Sequence, residues 1–325
     1  MTTARALRVP TTGDATVLRV EPVDVPDPGP GQARVRVAAA GVNFIDVYQR
    51  EGIYPIPTPF TTGNEGAGVV DAVGDGVPWA VGDRVAWAMT AGSAAELALV
   101  ADRMLVPVPD SVALDVAAAA MLQGMTAHYL VTSTYAVQPG DVVLVHAAAG
   151  GVGQWLVQWC TAKGATVVAT AGSPEKLALA EGLGATHLID YTEVADLAAA
   201  VREATGGAGV HVVYDGVGKS TFDASLASLR PRGLVALFGA ASGAVPPLDL
   251  QRLNAAGSVF VTRPSLAHYL LDRDELTWRA GEVFQALAEG TIRLEIGGRY
   301  PLDDAVAAYQ ALEGRASTGK LLLLP

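Results

Sequence analysis

Residues 142–172 hold a strand, a glycine-rich turn, a helix and a second strand, and no other stretch restricts the possible folds as tightly. The first strand is Val142-Val-Leu-Val-His146, bounded by Pro139-Gly140-Asp141. The turn runs from Ala147 to Gly153, the helix from about Gln154 to Lys163, and the returning strand from Ala165 to Gly172. In such a turn glycines let the backbone approach a pyrophosphate, whose charge sits at the helix N-terminus. Ala149, Gly150, Gly151, Val152 and Gly153 are therefore expected cofactor contacts. The span Val142–Ala162 is uncharged and long enough to cross a bilayer. Three glycines, two glutamines and a change of period in its middle argue against one spanning helix.

The returning strand ends without an acid. A dinucleotide with a free ribose hydroxyl usually meets Asp or Glu about 20 residues beyond the glycines. Here the place reads Thr170-Ala171-Gly172-Ser173, small and neutral, with Lys176 just beyond. That combination favours NADPH, and with it hydride transfer. Lys176 can pair with a phosphate as a point charge, and Ser173 can donate a hydrogen bond. The same residues also read as a helix-surface lysine and an N-cap pair, Ser173-Pro174; both readings can hold at once.

A chain of 325 residues should hold about two domains. Net charge is −11, which repels nucleic acid phosphates and anionic lipid, so neither is an expected partner. One cysteine, Cys160, cannot form an intrachain disulfide and falls within the predicted helix. No basic-then-apolar leader precedes the first strand, so a cytoplasmic protein is the expectation.

The first hundred or so residues are β-rich. Ala4–Val9 and Gln32–Ala38 alternate, with Pro22–Gly31 between them as a connecting loop. Glycines at 63, 66, 68, 74, 76 and 82 punctuate short apolar pairs, as in a small curled barrel. Ala94–Val100 and Met104–Pro109 complete this region, and helical patterns follow at Asp115–Met121 and Met125–Tyr135. Further strands are predicted at Thr186–Asp190, Val210–Asp215, Leu234–Gly239 and Ser258–Thr262. Helices fit Pro174–Leu183, Glu193–Thr205 and Ser220–Leu229. Right-handed crossovers then give an α/β fold with a doubly wound parallel six-stranded sheet, ordered 3-2-1-4-5-6. The tail reads as an amphipathic helix over Glu275–Glu289, a helix near Leu302–Leu312, and a buried strand Lys320–Leu324 returning to the first domain.

A β-rich domain, an inserted dinucleotide domain and a returning tail resemble the medium-chain dehydrogenase/reductase superfamily along essentially the whole chain. The resemblance implies a GroES-like catalytic domain over 1–124, completed by 265–325, and a Rossmann NADPH-binding domain over 125–264. Zinc enzymes of that superfamily use a cysteine after an early strand and a Gly-His-Glu segment. The corresponding places here read Ala40-Gly41-Val42-Asn43-Phe44-Ile45-Asp46 and Gly63-Asn64-Glu65-Gly66. Asn43 and Asn64 are poor zinc ligands and Glu65 alone cannot hold the ion, while one cysteine precludes a four-cysteine lobe. No metal is expected. Asn43-Phe-Ile-Asp-Val-Tyr48, the turn at 147–153, Val261-Thr-Arg-Pro-Ser-Leu266 and Arg315-Ala-Ser-Thr-Gly319 resemble the zinc-free, zeta-crystallin-like quinone oxidoreductases of bacterial NADPH type.

That resemblance places Asn43, Tyr48 and Tyr54 around the nicotinamide, as donors to the oxygen charge left by hydride transfer. The alternative reading is that Asn43 turns the loop and the tyrosines pack. Tyr191 and Arg315 would join Gly172, Ser173 and Lys176 around the adenosine phosphate. Thr126 and Gly216 sit where relatives touch the cofactor. Carboxyl ends of parallel strands bind ligands in such sheets, which adds Phe238, Gly239 and Ala240, then Val261, Thr262 and Arg263. Ser242–Pro247 reads as a mobile loop. Asp46 reads as a cap for the loop at Asn43, and no histidine is assigned a catalytic role.

The expected activity is metal-free NADPH:quinone oxidoreduction, with a quinone in an interdomain cleft and a homodimer paired through the sixth strand. Whether one or two electrons pass is left open. The rival enzyme reading is an enone or alkenal double-bond reductase. A rival of another class is a non-catalytic, crystallin-like protein that binds NADPH or RNA.

Overall fold

The computed structural model describes residues 2–314 and 317–325. It separates into two compact units, Met1–Met125 with Leu270–Pro325, and Thr126–Tyr269.

In the first unit, Gln32–Gly41 is the hub of a seven-stranded sheet, antiparallel to Glu65–Val73 and Leu97–Ala101. The C-terminal strand Lys320–Leu324 returns to this hub, aligning Leu323 with Ala40, and pairs in parallel with Ile296–Pro301. Its residues Leu321, Leu322 and Leu323 are buried, as an apolar strand covered on both faces must be. One reading changes here. Pro22 lies inside the strand Arg19–Val25, opposite Arg5, and not in the following loop. That strand is the edge of a three-stranded sheet, where a missing N–H leaves no ladder bond unmade. Gly66 and Gly68 lie inside the strand Glu65–Val73. A Cβ on Gly66 would lie 2.8 Å from the Trp87 ring, and one on Gly68 would meet the Arg36 carbonyl, so glycine allows strands to cross closely.

The expected pair of helical stretches after Ser111 is one helix, Leu114–Tyr129, which widens into a π-turn over Leu130–Thr134. Alanine-rich sequence keeps it helical through Gln123-Gly124, where the apolar pattern lapses.

The second unit carries a six-stranded parallel sheet. In chain order its strands are Val142–Val145, Thr166–Ala171, His187–Asp190, Val210–Asp215, Leu229–Leu237 and Phe260–Thr262. Their spatial order is 3-2-1-4-5-6, as the alternation of strands and helices predicts. Its core packs Leu144, Val168, Val213 and Val235 from the first, second, fourth and fifth strands together with Phe222 and Leu226 of the helix Phe222–Ser228. Because every pair in the sheet is parallel, the carboxyl ends of all six strands lie along one side of it. Among the described residues, no helix is long and apolar enough to cross a membrane.

Candidate active site

In the first unit the candidate residues gather around the helix Phe44–Arg50. Asn43 opens it in an extended conformation, and Asp46 reaches back to accept the Asn43 N–H at 2.9 Å. This is the capping role expected of Asp46. Its other oxygen accepts from Asn64 Nδ2 at 2.6 Å, and Tyr309 Oη donates to Oδ2 at 3.1 Å. Burial pushes the Asp46 pKa up to about 6, although the bonds from Asn64 and Asn43 and the charge of Lys320 work against the rise.

Asn43 departs from its expected role. It is buried, and its Nδ2 donates to Glu65 Oε1 at 2.7 Å and to the Gly41 carbonyl at 3.3 Å. Its Oδ1 accepts from Lys320 Nζ at 2.7 Å. Both amide hydrogens are committed inside the protein, so the side chain holds the loop and has no donor left for a substrate oxygen. Glu65 is paired with the Lys320 ammonium, and its second oxygen takes the Leu122 N–H at 2.6 Å. Lys320 also donates to the Val42 carbonyl at 3.2 Å. Sequence reasoning missed Lys320. The available signal was a lysine opening an otherwise all-leucine strand, because a buried charge demands a partner.

The tyrosines stand differently. Tyr54 is 42% exposed, and its ring meets Tyr48 edge-on, with centroids 5.4 Å apart. The Tyr54 N–H bonds to the Tyr48 carbonyl at 3.0 Å, folding the chain after the helix back onto it. The pair presents an aromatic surface of the kind that suits a flat, neutral molecule.

In the second unit the glycine turn joins the strand Val142–Val145 to the helix Gly151–Ala162, with Gly150 at its N-cap. A Cβ on Gly153 would run into the Ala147 carbonyl, so this position has to be glycine. The backbone N–H groups of the first helical turn have no intrahelical acceptor, and no side chain caps them, which is what an anion site uses. After the second strand, Ser173 caps the helix Pro174–Gly182 by accepting the Lys176 N–H at 3.4 Å. The Tyr191 N–H bonds to the Ala171 carbonyl at 3.1 Å, and a Cβ on Gly172 would fall 2.5 Å from Tyr191 Oη. Gly172 and Tyr191 are thus in contact, beside the cap Ser173. Gly216 and Phe238 also touch, since a Cβ on Gly216 would lie 2.8 Å from the Phe238 ring. Val261 and Thr262 pair with Val235 and Ala236 at the last strand. Arg263 donates to the Pro264 carbonyl at 3.5 Å, and Ala240 accepts the Gly243 N–H at 2.8 Å. Thr126 is buried within the helix Leu114–Tyr129. Arg315 lies outside the described residues.

The loop read as mobile is tied at its start. Ser242 Oγ donates to the Val217 carbonyl at 2.8 Å and accepts the Ser220 N–H at 3.0 Å. His146, read only as structural, is bonded through its ring to Thr170 and Ser225.

Comparison with known proteins agrees with this layout. Residues 29–110 match the family described as Alcohol dehydrogenase GroES-like domain, and residues 151–273 that described as Zinc-binding dehydrogenase. The chain is 43% identical to a quinone oxidoreductase of Pseudomonas aeruginosa, over 99% of this chain and 100% of that protein. It is also 43% identical to a 2-haloacrylate reductase of a Burkholderia species, over 94% of each. A mycobacterial protein solved in complex with NADPH matches at a TM-score of 0.96 and 51% identity, covering 99% of this chain and 100% of that one.

The name of the second family implies zinc, and the donors present do not fit it. Among the described residues, no group of three or more His, Cys, Asp or Glu is placed to hold a metal ion. At the residues aligned above with zinc ligands, Asn43 and Asn64 offer amides, and the Glu65 carboxylate is already neutralised by Lys320.

Proposed function

Because the chain belongs to the quinone oxidoreductase branch of the medium-chain dehydrogenase/reductase superfamily, we propose that it is an NADPH-dependent, zinc-free quinone reductase. One observation carries the cofactor choice: the second parallel strand ends at Ala171-Gly172-Ser173 with no acid to bind a ribose hydroxyl. Gly172, Ser173, Lys176 and Tyr191 would hold the adenosine phosphate, and Gly150–Gly153 the pyrophosphate. Gly216, Phe238–Ala240 and Val261–Arg263 would follow the cofactor along the strand ends, with Thr126. When bound, NADPH supplies the hydride. Tyr48 and Tyr54 receive the flat acceptor, and Asn43 keeps the helix that carries Tyr48 in place through Glu65 and Lys320. The reduced quinone takes its proton from water, so no buried acid is required.

The first unit would be the catalytic domain and the second the nucleotide domain. A homodimer paired along Phe260–Thr262 and a cytoplasmic setting belong to the same proposal. In its support, that strand is the open edge of the sheet and Phe260 is 60% exposed.

A second reading is reduction of activated carbon–carbon double bonds, favoured by the likeness to the 2-haloacrylate reductase. Steady-state oxidation of NADPH and of NADH, against a panel of quinones, 2-alkenals and 2-haloacrylates, with and without chelator, separates the two. Quinone turnover with NADPH that survives chelation is the expected result. Turnover of alkenes alone would replace this reading, and loss of turnover on chelation would remove the zinc-free part.

A further inference from the structure

At the carboxyl ends of three adjacent strands of the parallel sheet, one buried ring is hydrogen-bonded on both sides. His146 follows the strand Val142–Val145 and is 2% exposed. Its Nδ1 lies 2.9 Å from Thr170 Oγ1, near the end of the second strand, and its Nε2 lies 3.0 Å from Ser225 Oγ. Ser225 Oγ in turn lies 2.8 Å from Asp215 Oδ2, at the end of the fourth strand.

Counting donors fixes every proton in this chain. Asp215 is fully buried and already accepts the Thr221 hydroxyl and the N–H groups of Val217 and Gly218, at 2.8–2.9 Å. The Ser225 hydroxyl donates to Asp215 Oδ2 as well. The lone pairs of Ser225 then face His146 Nε2, which must carry a hydrogen. Burial holds the imidazole pKa below its ordinary value, and the ring is neutral. Nδ1 is therefore the acceptor, and the Thr170 hydroxyl donates to it. The order is not that of a nucleophile triad, because the serine gives its proton to the carboxylate and not to the ring.

His146 directly precedes the glycine turn and Asp215 directly precedes the turn Gly216–Gly218, the two turns between which the nucleotide would enter. Ala147, directly after His146, begins the glycine turn and sits at φ 50°, a left-handed conformation that alanine adopts only under constraint. The backbone on either side of it is tied as well, His146 N to the Tyr214 carbonyl and Ala148 N to the Thr170 carbonyl, both at 3.1 Å. Asp215 in turn fixes the turn Gly216–Gly218 through two backbone N–H groups.

We infer that His146, as its Nε2–H tautomer, is a positioning residue that locks the glycine turn to the turn after Asp215 through Ser225, presetting the dinucleotide crevice. This rests on the reading that the unit binds NADPH. The gain is preorganisation: a turn held in its bound conformation gives up less freedom when the cofactor arrives.

The test has two parts. A long-range proton–nitrogen NMR spectrum of the 15N-labelled wild-type protein should show one histidine, absent from a His146→Gln variant, with Nε2 protonated and Nδ1 bare. In Ser225→Ala the ring N–H loses its acceptor, and the KM for NADPH should rise roughly tenfold, with kcat at saturating NADPH held within about twofold. A ring protonated at Nδ1, or a KM unchanged in Ser225→Ala, overturns the inference while the cofactor reading stands. Wild-type protein that fails to bind NADPH removes both. If Ser225→Ala does not fold, the wild-type and His146→Gln spectra decide.

Discussion

Lys320 Nζ lies 2.7 Å from Asn43 Oδ1, and the same ammonium neutralises Glu65; the side chains of the ion pair are wholly buried. A cation in this place does what a loop alone cannot. It fixes the Asn43 amide, orders the carbonyl of Val42 and compensates a carboxylate that also holds the Leu122 N–H. Removing one partner of a buried pair strands the other charge. Lys320→Met should therefore lower stability by about 3–5 kcal/mol in urea unfolding. The double variant Lys320→Met/Glu65→Gln should recover a large part of that loss. Equal losses in both would mean that packing, and not charge, holds the site.

Asp46 gives the protein a pH dependence of known sign. Its folded-state pKa is raised to about 6 from an ordinary 3.8, so the fold prefers the protonated form. The stability this contributes is complete below the unfolded value and lost as pH rises through about 6. Asp46→Asn, which does not titrate at this position, should gain on the wild type between pH 4 and 7, by up to about 3 kcal/mol. Denaturant midpoints across that range measure it. A gap that stays constant with pH would show that Asp46 does not titrate in the fold.

Cofactor choice should reside beside Gly172. Lys176→Ala should weaken NADPH binding about tenfold and leave NADH binding nearly unchanged, the loss of one charge-assisted contact. Gly172→Ala places a Cβ 2.5 Å from Tyr191 Oη and must move that ring, so it should act in the same direction without a large change in melting temperature. Titration of both nucleotides against each variant decides the assignment. Parallel losses for NADPH and NADH would move the phosphate site elsewhere.

Tyr54 separates two ways of meeting a quinone. With its ring edge-on to Tyr48 and 42% exposed, it offers a surface as well as a hydroxyl. Tyr54→Ala should raise the quinone KM several-fold, roughly the loss of one aromatic contact. Tyr54→Phe should stay near wild type if stacking dominates, and should lower kcat if the hydroxyl supports charge on the quinone oxygen. Steady-state rates on one quinone read both effects.

Much of the nucleotide half was legible in the residues. Val142–Val145 and Gly150–Gly153 announce themselves within thirty residues of chain, and Val210–Asp215 reads as a strand with the same limits in the fold. The errors were local contests. Pro22 reads as a loop residue until an edge strand leaves its missing N–H without consequence, and Asp115–Met121 and Met125–Tyr135 read as two helical stretches until Gln123-Gly124 stays helical between them.

What the chain determined unaided is the order of the parallel sheet, the glycine turn and the neutral end of its second strand. Periodicity and turn chemistry act between near neighbours, so they can be read along a line. Only the tertiary structure decided what Asn43 and His146 do. Glu65 and Lys320 are 255 residues apart, and the Asn43 amide is spent because both of them reach it. The direction of each proton around His146 depends likewise on Thr170, Ser225 and Asp215, brought together by three strands and a helix. Buried polar groups must find partners, and which partner is within reach is settled by packing, not by spacing along the chain.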